Sequence, residues 1–136
     1  MMTCVFCQIN DIVLENDLAL AFYDKYPVNK GHLLIIPKRH VEQYFDLTDQ
    51  ERMSIDQLLF EGKKIIDKQY QPDGYNIGIN CGEAAGQTIF HVHVHLIPRY
   101  FNDGLPNWPT KKYRKKKQEN LQDLLALLNQ ISMSKA

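Results

Sequence analysis

The run His91-Val92-His93-Val94-His95-Leu96-Ile97 constrains this chain more than any other segment. Imidazoles alternate with apolar residues, and strict alternation is the signature of a half-buried strand. Successive side chains on a strand point to opposite faces. His91, His93 and His95 therefore share one face, while Val92, Val94 and Leu96 pack into a core. A face used only for packing gains little from three imidazoles, because each needs hydrogen-bond partners once buried. A face that moves protons, attacks an electrophile or binds metal uses them directly. One ion cannot hold all three. Strand residues rise about 3.3 Å each, which separates His91 from His95 by roughly 13 Å. At most two neighbours share a metal, so the histidines have different tasks.

A chain of 136 residues is long enough for one domain with a real core. Its 16 basic and 16 acidic side chains cancel, so global charge favours neither a nucleic-acid nor a membrane partner. No apolar stretch approaches the length of a membrane span, and the N-terminus has no basic region followed by an apolar run. The expected location is the cytoplasm. Cys4, Cys7 and Cys81 are too few and too uneven for a disulfide framework.

Around the histidines the pattern predicts an α+β domain. A short helical turn is expected within residues 3–10, then strands at Asp11–Glu15 and Leu18–Tyr23 separated by Asn16-Asp17. His32–Ile36 is an apolar strand stopped by Pro37. Thr48-Asp49-Gln50-Glu51 has capping-box spacing and opens a long helix. Met53, Ile55, Leu58, Leu59, Ile65 and Ile66 are its expected core positions, and Gly62 permits close packing. Tyr75–Asn80 is a further strand, and the histidine strand is expected over Thr88–Ile97. Phe101–Thr110 reads as a loop. Residues 111–117 hold six basic side chains. Leu121, Leu124, Leu125, Leu128 and Ile131 mark an amphipathic C-terminal helix that Asn120 and Asp123 would cap. Strands, one helix, then strands again argue for an antiparallel sheet rather than a βαβ unit.

Two further segments carry chemistry. The loop Asn80–Thr88 contains Gly82 and Gly86 and runs straight into the histidines. Glycines commonly just make turns. They also let backbone N–H groups approach phosphate oxygens, with Gln87 and Thr88 as added neutral donors. The second segment, Cys4-x-x-Cys7, has the spacing of half a tetrahedral zinc site, although a redox pair shares that spacing. His40 and His91 are the natural remaining ligands. His32, entering an apolar strand, reads as a hydrogen-bonding structural residue. The basic run 111–117 reads as a solvated linker or an attractor of anions, and Trp108 as a packing or ligand-flanking residue.

With these motifs laid out, the chain resembles the histidine triad (HIT) family over roughly residues 3 to 110. The pattern His-x-His-x-His followed by two apolar residues stands here as His91 to Ile97. Cys-Val-Phe-Cys-Gln-Ile, Ala21-Phe22-Tyr23-Asp24, Gly31 to His40 and Gly86-Gln-Thr-Ile-Phe-His91 extend the likeness. It is strongest to bacterial zinc-containing HIT hydrolases, with features of the dinucleoside polyphosphate branch. The resemblance implies a HIT-like fold, with one long helix and a C-terminal helix, in a homodimer with a continuous sheet. It implies a HIT domain over residues 1–110, followed by a basic linker and helix over 111–136.

For function, the resemblance implies a nucleotide hydrolase that releases a nucleoside monophosphate from a dinucleoside polyphosphate or a nucleoside phosphoramidate. His93 would be the nucleophile, forming a nucleotidyl-histidine intermediate. His95 would hydrogen-bond near the scissile phosphate. Gln87 would position water or contact the leaving group, and Gly86, Gln87 and Thr88 would meet phosphate oxygens. Asn80 and Asp24 would hold the ribose, and Phe6, Ile9 and Phe22 would form the slot for a purine base. Structural zinc would sit on Cys4, Cys7, His40 and His91, and no Mg²⁺ would be required. The competing readings are a nucleotidyltransferase and a non-catalytic nucleotide-binding scaffold. Nucleic-acid binding through residues 111–117 is the weakest, since it rests on one short run.

Overall fold

A computed structural model describes residues 4–107 and 121–130. Trp108, the basic run 111–117, Asn120 and Ile131 lie outside the described residues. The first compact unit, Met1–Asp103, contains a 3-10 turn at Val5–Cys7 and five strands. These are β1 (Leu14–Glu15), β2 (Ala19–Tyr23), β3 (Leu33–Pro37), β4 (Gly74–Ile79) and β5 (Val94–Arg99). The helix α1 (Asp49–Tyr70) lies between β3 and β4. The second unit, Gly104–Ala136, contains a helix over 121–130, α2.

All strand pairs are antiparallel, in the order β1-β2-β3-β5-β4. The two strands that build the site, β3 and β5, are thus central, and both of their faces are covered. On one face Ala19, Ala21, Leu33, Ile35, Val92, Val94 and Leu96 pack against Ile55, Leu58 and Ile66 of α1. On the other, Leu34, Ile36 and Phe22 meet Phe6 from the 3-10 turn, with Ile9 and Ile89 alongside. The period-2 pattern of β2 and β3 accounts for this division.

Helix α1 begins where the capping box predicts. Thr48 Oγ1 accepts from the Glu51 backbone N–H at 3.1 Å, and Glu51 Oε1 accepts from the Thr48 N–H at 2.9 Å. Glu51 also receives Arg39 through two bonds, at 2.7 and 3.1 Å, although its own side chain is only 5% exposed. The guanidinium holds the Glu51 carboxyl below its ordinary value of 4.5. Glu51→Ala should therefore destabilise the fold by about 2 kcal/mol, through the lost cap and the stranded partners. Because the folded carboxyl is the stronger acid, its contribution is complete above pH 4.5. It disappears as pH falls through the lowered value. Urea unfolding of wild type and variant should converge towards acid pH.

Gly62 faces the sheet so closely that an alanine Cβ would lie 2.6 Å from Leu33 Cδ2, which is the close packing the sequence suggested. Met53 departs from expectation: it is 72% exposed and plays no part in the core. It falls on the side of α1 opposite Ile55 and Leu58, so its apolar character alone misplaced it. The first expected strand shrinks to Leu14–Glu15.

The larger correction concerns the histidines. The strand starts at Val94, not Thr88, so His91, Val92 and His93 precede it. Pairing of β5 with β3 begins at Ile35–Val94 and with β4 at Ile79–Val94. Upstream of Val94, β4 has ended at Ile79, while β3 runs on to Pro37 without pairing His93 or Val92. Val92 instead donates its N–H to Val41 O at 2.7 Å. The alternation of faces survives: Val92, Val94 and Leu96 are all buried against α1.

Candidate active site

The three histidines reach three different environments. His91 is fully buried, and its Nε2 lies 2.8 Å from Pro37 O. A carbonyl only accepts, so Nε2 carries the hydrogen and Nδ1 keeps its lone pair. That lone pair faces the thiols of Cys4 and Cys7, at 3.5 and 3.6 Å. His40 Nδ1 lies 3.4 Å from Cys7 Sγ, and the His40 and His91 rings stand perpendicular. The four donor atoms all lie within 4.8 Å of one another.

These distances test the fit of a metal. Zinc bonds of about 2.3 Å to sulfur and 2.0 Å to nitrogen, at a tetrahedral angle, separate S from N by about 3.5 Å. The cluster already has that spacing. Its His91 ligand is oriented by a carbonyl, as metal-binding imidazoles are. Cys4, Cys7, His40 and His91 therefore fit zinc, as the sequence indicated.

His93 turns the other way. Its Nδ1 lies 2.9 Å from His91 O, so this nitrogen carries the hydrogen and Nε2 carries the bare lone pair. The ring is 9% exposed, in edge contact with Phe6 at 5.1 Å and with His95 at 4.9 Å between centroids. The backbone thus fixes the tautomer that a nucleophilic imidazole needs.

His95 is set by a residue that sequence reasoning left out of the site. Val28 donates its N–H to His32 Nδ1 at 3.0 Å, so His32 must hold its hydrogen on Nε2. His32 Nε2 lies 2.9 Å from His95 Nδ1, which therefore accepts. His95 is left with an N–H at Nε2. Burial first, then the neighbouring imidazoles of His93 and His32, push its pKa down to about 4, so it is neutral at pH 7. His95 is thus a neutral hydrogen-bond donor. The same chain of bonds decides a second question. Asp24, His32 and His95 also converge closely enough to suggest a metal site. A neutral His32 cannot offer a lone pair at Nε2 while Nδ1 accepts from Val28, so this trio does not suit a metal. Asp24 Oδ2 instead lies 3.6 Å from His32 Nε2, and Oδ1 accepts from the Tyr26 N–H.

A signal for His32 was present in the strand pattern. Leu34 pairs with His95, so His32, two residues earlier on the same face, is its diagonal neighbour.

An open cavity of about 880 Å³ lies along this face. Phe6, Ile9, Phe22, Asp24, Thr88, His93 and His95 all line it, as the sequence placed them. Leu34, Ile89 and Lys25 also contribute, without having been anticipated. Asn80, Gly86 and Gln87 do not line it. Asn80 Nδ2 donates to Ala85 O at 2.7 Å, and Gly86 sits at φ +93° closing the same turn. Gln87 is 2% exposed. Its Oε1 accepts from the Gly82 N–H, and its Nε2 donates to Glu42 O and Ile89 O. Both amide hydrogens are committed, so Gln87 here anchors the loop instead of facing a phosphate. Gln87→Ala would strand all three partners. It should lower stability by about 2–3 kcal/mol, a loss that chemical denaturation would register.

The antiparallel α+β fold thus presents a bare imidazole nitrogen beside a neutral donor, above an apolar slot. Comparison with known proteins places the chain within one family. The HIT domain model matches residues 8–102, and the protein belongs to the HIT family. An adenosine 5′-monophosphoramidase of Schizosaccharomyces pombe is 37% identical over 119 residues, covering 79% of this chain and 86% of that protein. An AP-4-A phosphorylase of Mycobacterium tuberculosis is 36% identical over 93 residues, 68% of this chain but 48% of the longer enzyme. Among solved structures, a HIT family member from Bacillus subtilis superposes with a TM-score of 0.73 at 33% identity, covering 95% of this chain and 96% of that one. A zinc-bound histidine triad protein from Mycobacterium smegmatis gives 0.70 at 30% identity, with 94% and 96% covered. These likenesses support the α+β HIT fold and a nucleotide-processing site.

Proposed function

We propose that the protein is a hydrolase that releases a nucleoside monophosphate from a dinucleoside polyphosphate or a nucleoside phosphoramidate. The observation that carries this reading is the His93 tautomer: Nδ1–H on the His91 carbonyl and a lone pair at Nε2 on the cavity wall. Nε2 forms a bond to the α-phosphorus as the bond from phosphorus to the leaving oxygen or nitrogen breaks. The leaving group departs with that electron pair, an oxygen as a phosphate anion and a nitrogen as an amine after taking a proton from solvent. Water then attacks the nucleotidyl-imidazole, loses its proton to solvent, and frees both His93 and the monophosphate. Splitting one displacement into two is what covalent catalysis contributes.

The other residues divide the remaining work. His95 donates a hydrogen bond from Nε2 to an oxygen near the scissile bond, and Thr88 offers its hydroxyl to the phosphate. Asp24 suits a ribose hydroxyl, and Phe6, Ile9 and Phe22 suit a purine. These groups meet the phosphate without Mg²⁺, so turnover should persist in a chelator selective for that ion. Zinc on Cys4, Cys7, His40 and His91 supplies structural cross-linking.

The proposal extends to assembly and place. The edge strand β4 exposes Ile77 (56%), and α1 exposes Phe60 (66%), which suits a homodimer that continues the sheet through β4. Sedimentation would give the mass. Three free thiols suit the reducing cytoplasm.

The test is a panel of adenosine phosphoramidate, diadenosine triphosphate and diadenosine tetraphosphate, followed by AMP release. Turnover of any member with acid-labile nucleotide trapped on the protein supports the hydrolase. Turnover that requires inorganic phosphate and yields a diphosphate would favour a transferase, the reading suggested by the phosphorylase among the relatives. Binding without turnover would leave a nucleotide-binding scaffold.

A further inference from the structure

Two ligands of the metal cluster and one wall of the cavity come from the same four residues. Cys4 and Cys7 flank a single 3-10 turn, closed by the Cys7 N–H on Cys4 O at 3.1 Å. Phe6, between them, points inward. It is 9% exposed, with its ring edge 5.1 Å from His93 and 5.4 Å from Phe22 between centroids. Val5, Phe6 and Ile9 of this stretch line the cavity.

What holds this stretch to the body is narrow. Among the described residues, positions 4–12 make no hydrogen bond to the sheet except through the two thiols, which meet His40 and His91. The packing of Phe6 and Ile9 against Phe22, Leu34 and Ile36 is the other restraint. An N-terminal segment without backbone pairing frays unless something ties it down. A metal held by the cluster would be that tie. On the opposite side of the cluster, the His91 ring faces the two thiols and its carbonyl accepts from His93.

We infer that zinc and nucleotide bind cooperatively, and that Phe6 is the positioning residue that links them. The inference rests on the nucleotide reading above. With zinc bound, Cys4 and Cys7 hold the turn, and Phe6 stands in place before a base arrives. Without zinc, the base must itself order the turn, and part of its interaction energy is spent on that ordering. Linkage is reciprocal, so nucleotide must tighten zinc by the same factor.

The measurement is zinc affinity, by competition with a chromogenic chelator, in the full-length protein with and without saturating AMP. Zinc should bind about 10-fold more tightly with AMP, within the usual range of coupling between sites. AMP should bind weaker by the same factor to the metal-free protein. Phe6→Ala leaves all four ligands in place, so it should still bind zinc while losing the coupling. Phe6→Leu keeps an apolar side chain of similar reach and should retain part of it, which separates lost linkage from a lost fold. AMP that binds the zinc form yet leaves zinc affinity unchanged in wild type overturns the linkage alone. Failure of AMP to bind the zinc form overturns the nucleotide reading, and the linkage with it. Equal coupling in wild type and Phe6→Ala removes Phe6 from the path.

Discussion

His93→Ala should reduce AMP release by at least about 10⁴-fold, the scale seen when a covalent nucleophile is removed. The loss should appear in kcat with little change in KM, because His93 reaches out to phosphorus and does not hold the base. The fold should tolerate the change. His93 contributes one hydrogen bond, to His91 O, and edge contacts to Phe6 and His95. Zinc content should match wild type, since all four ligands remain. Single-turnover kinetics with acid quench would show nucleotide attached to wild-type protein and none attached to the variant. A variant that keeps a tenth of wild-type kcat would remove His93 from the nucleophile's role.

Stripping zinc should produce the second large effect, on stability. A ligand present at a thousand times its dissociation constant stabilises the folded state by about 4 kcal/mol. For a domain of this size that corresponds to a loss in Tm of about 12 °C or more on chelation. Cys7→Ser, which weakens the cluster at its exposed end, should lower Tm in the same direction and make it insensitive to added zinc. Calorimetry with and without a strong chelator gives both numbers. Equal Tm in the two conditions, with metal shown to leave, would mean the cluster does not hold the fold together.

The parts of the site that were legible in the sequence are those fixed by short-range pattern. Alternation placed Val92, Val94 and Leu96 in the core, although the strand itself begins only at Val94. Side-chain alternation needs only an extended backbone, whereas a ladder also needs paired hydrogen bonds; β4 ends opposite Val94 and β3 runs on unpaired. The spacing of Cys4-x-x-Cys7 pointed to the cluster that the two thiols form with His40 and His91. Thr48 and Glu51 marked the start of α1 for the same local reason.

What escaped depended on which residues meet across the sheet. His32 on an apolar strand reads as a hydrogen-bonding structural residue, and its register against His95 reveals that its bond sets a tautomer. Gln87, next to glycines and histidines, reads as a phosphate donor. Its commitment to Gly82, Glu42 and Ile89 depends on how the loop folds back, which no local pattern records. Met53 shows the limit of counting apolar residues without their angle around the helix.

Each proton position in this site is dictated by main chain. Pro37 O fixes His91, His91 O fixes His93, and the Val28 N–H fixes His32 and, through it, His95. Only at His95 does a side chain, the ring of His32, stand between the main chain and the choice of nitrogen. The pattern of bare and protonated nitrogens therefore follows from the fold together with His32. Cavity residues such as Ile9 and Lys25 take no part in these bonds, so the slot can change without moving the bare nitrogen of His93.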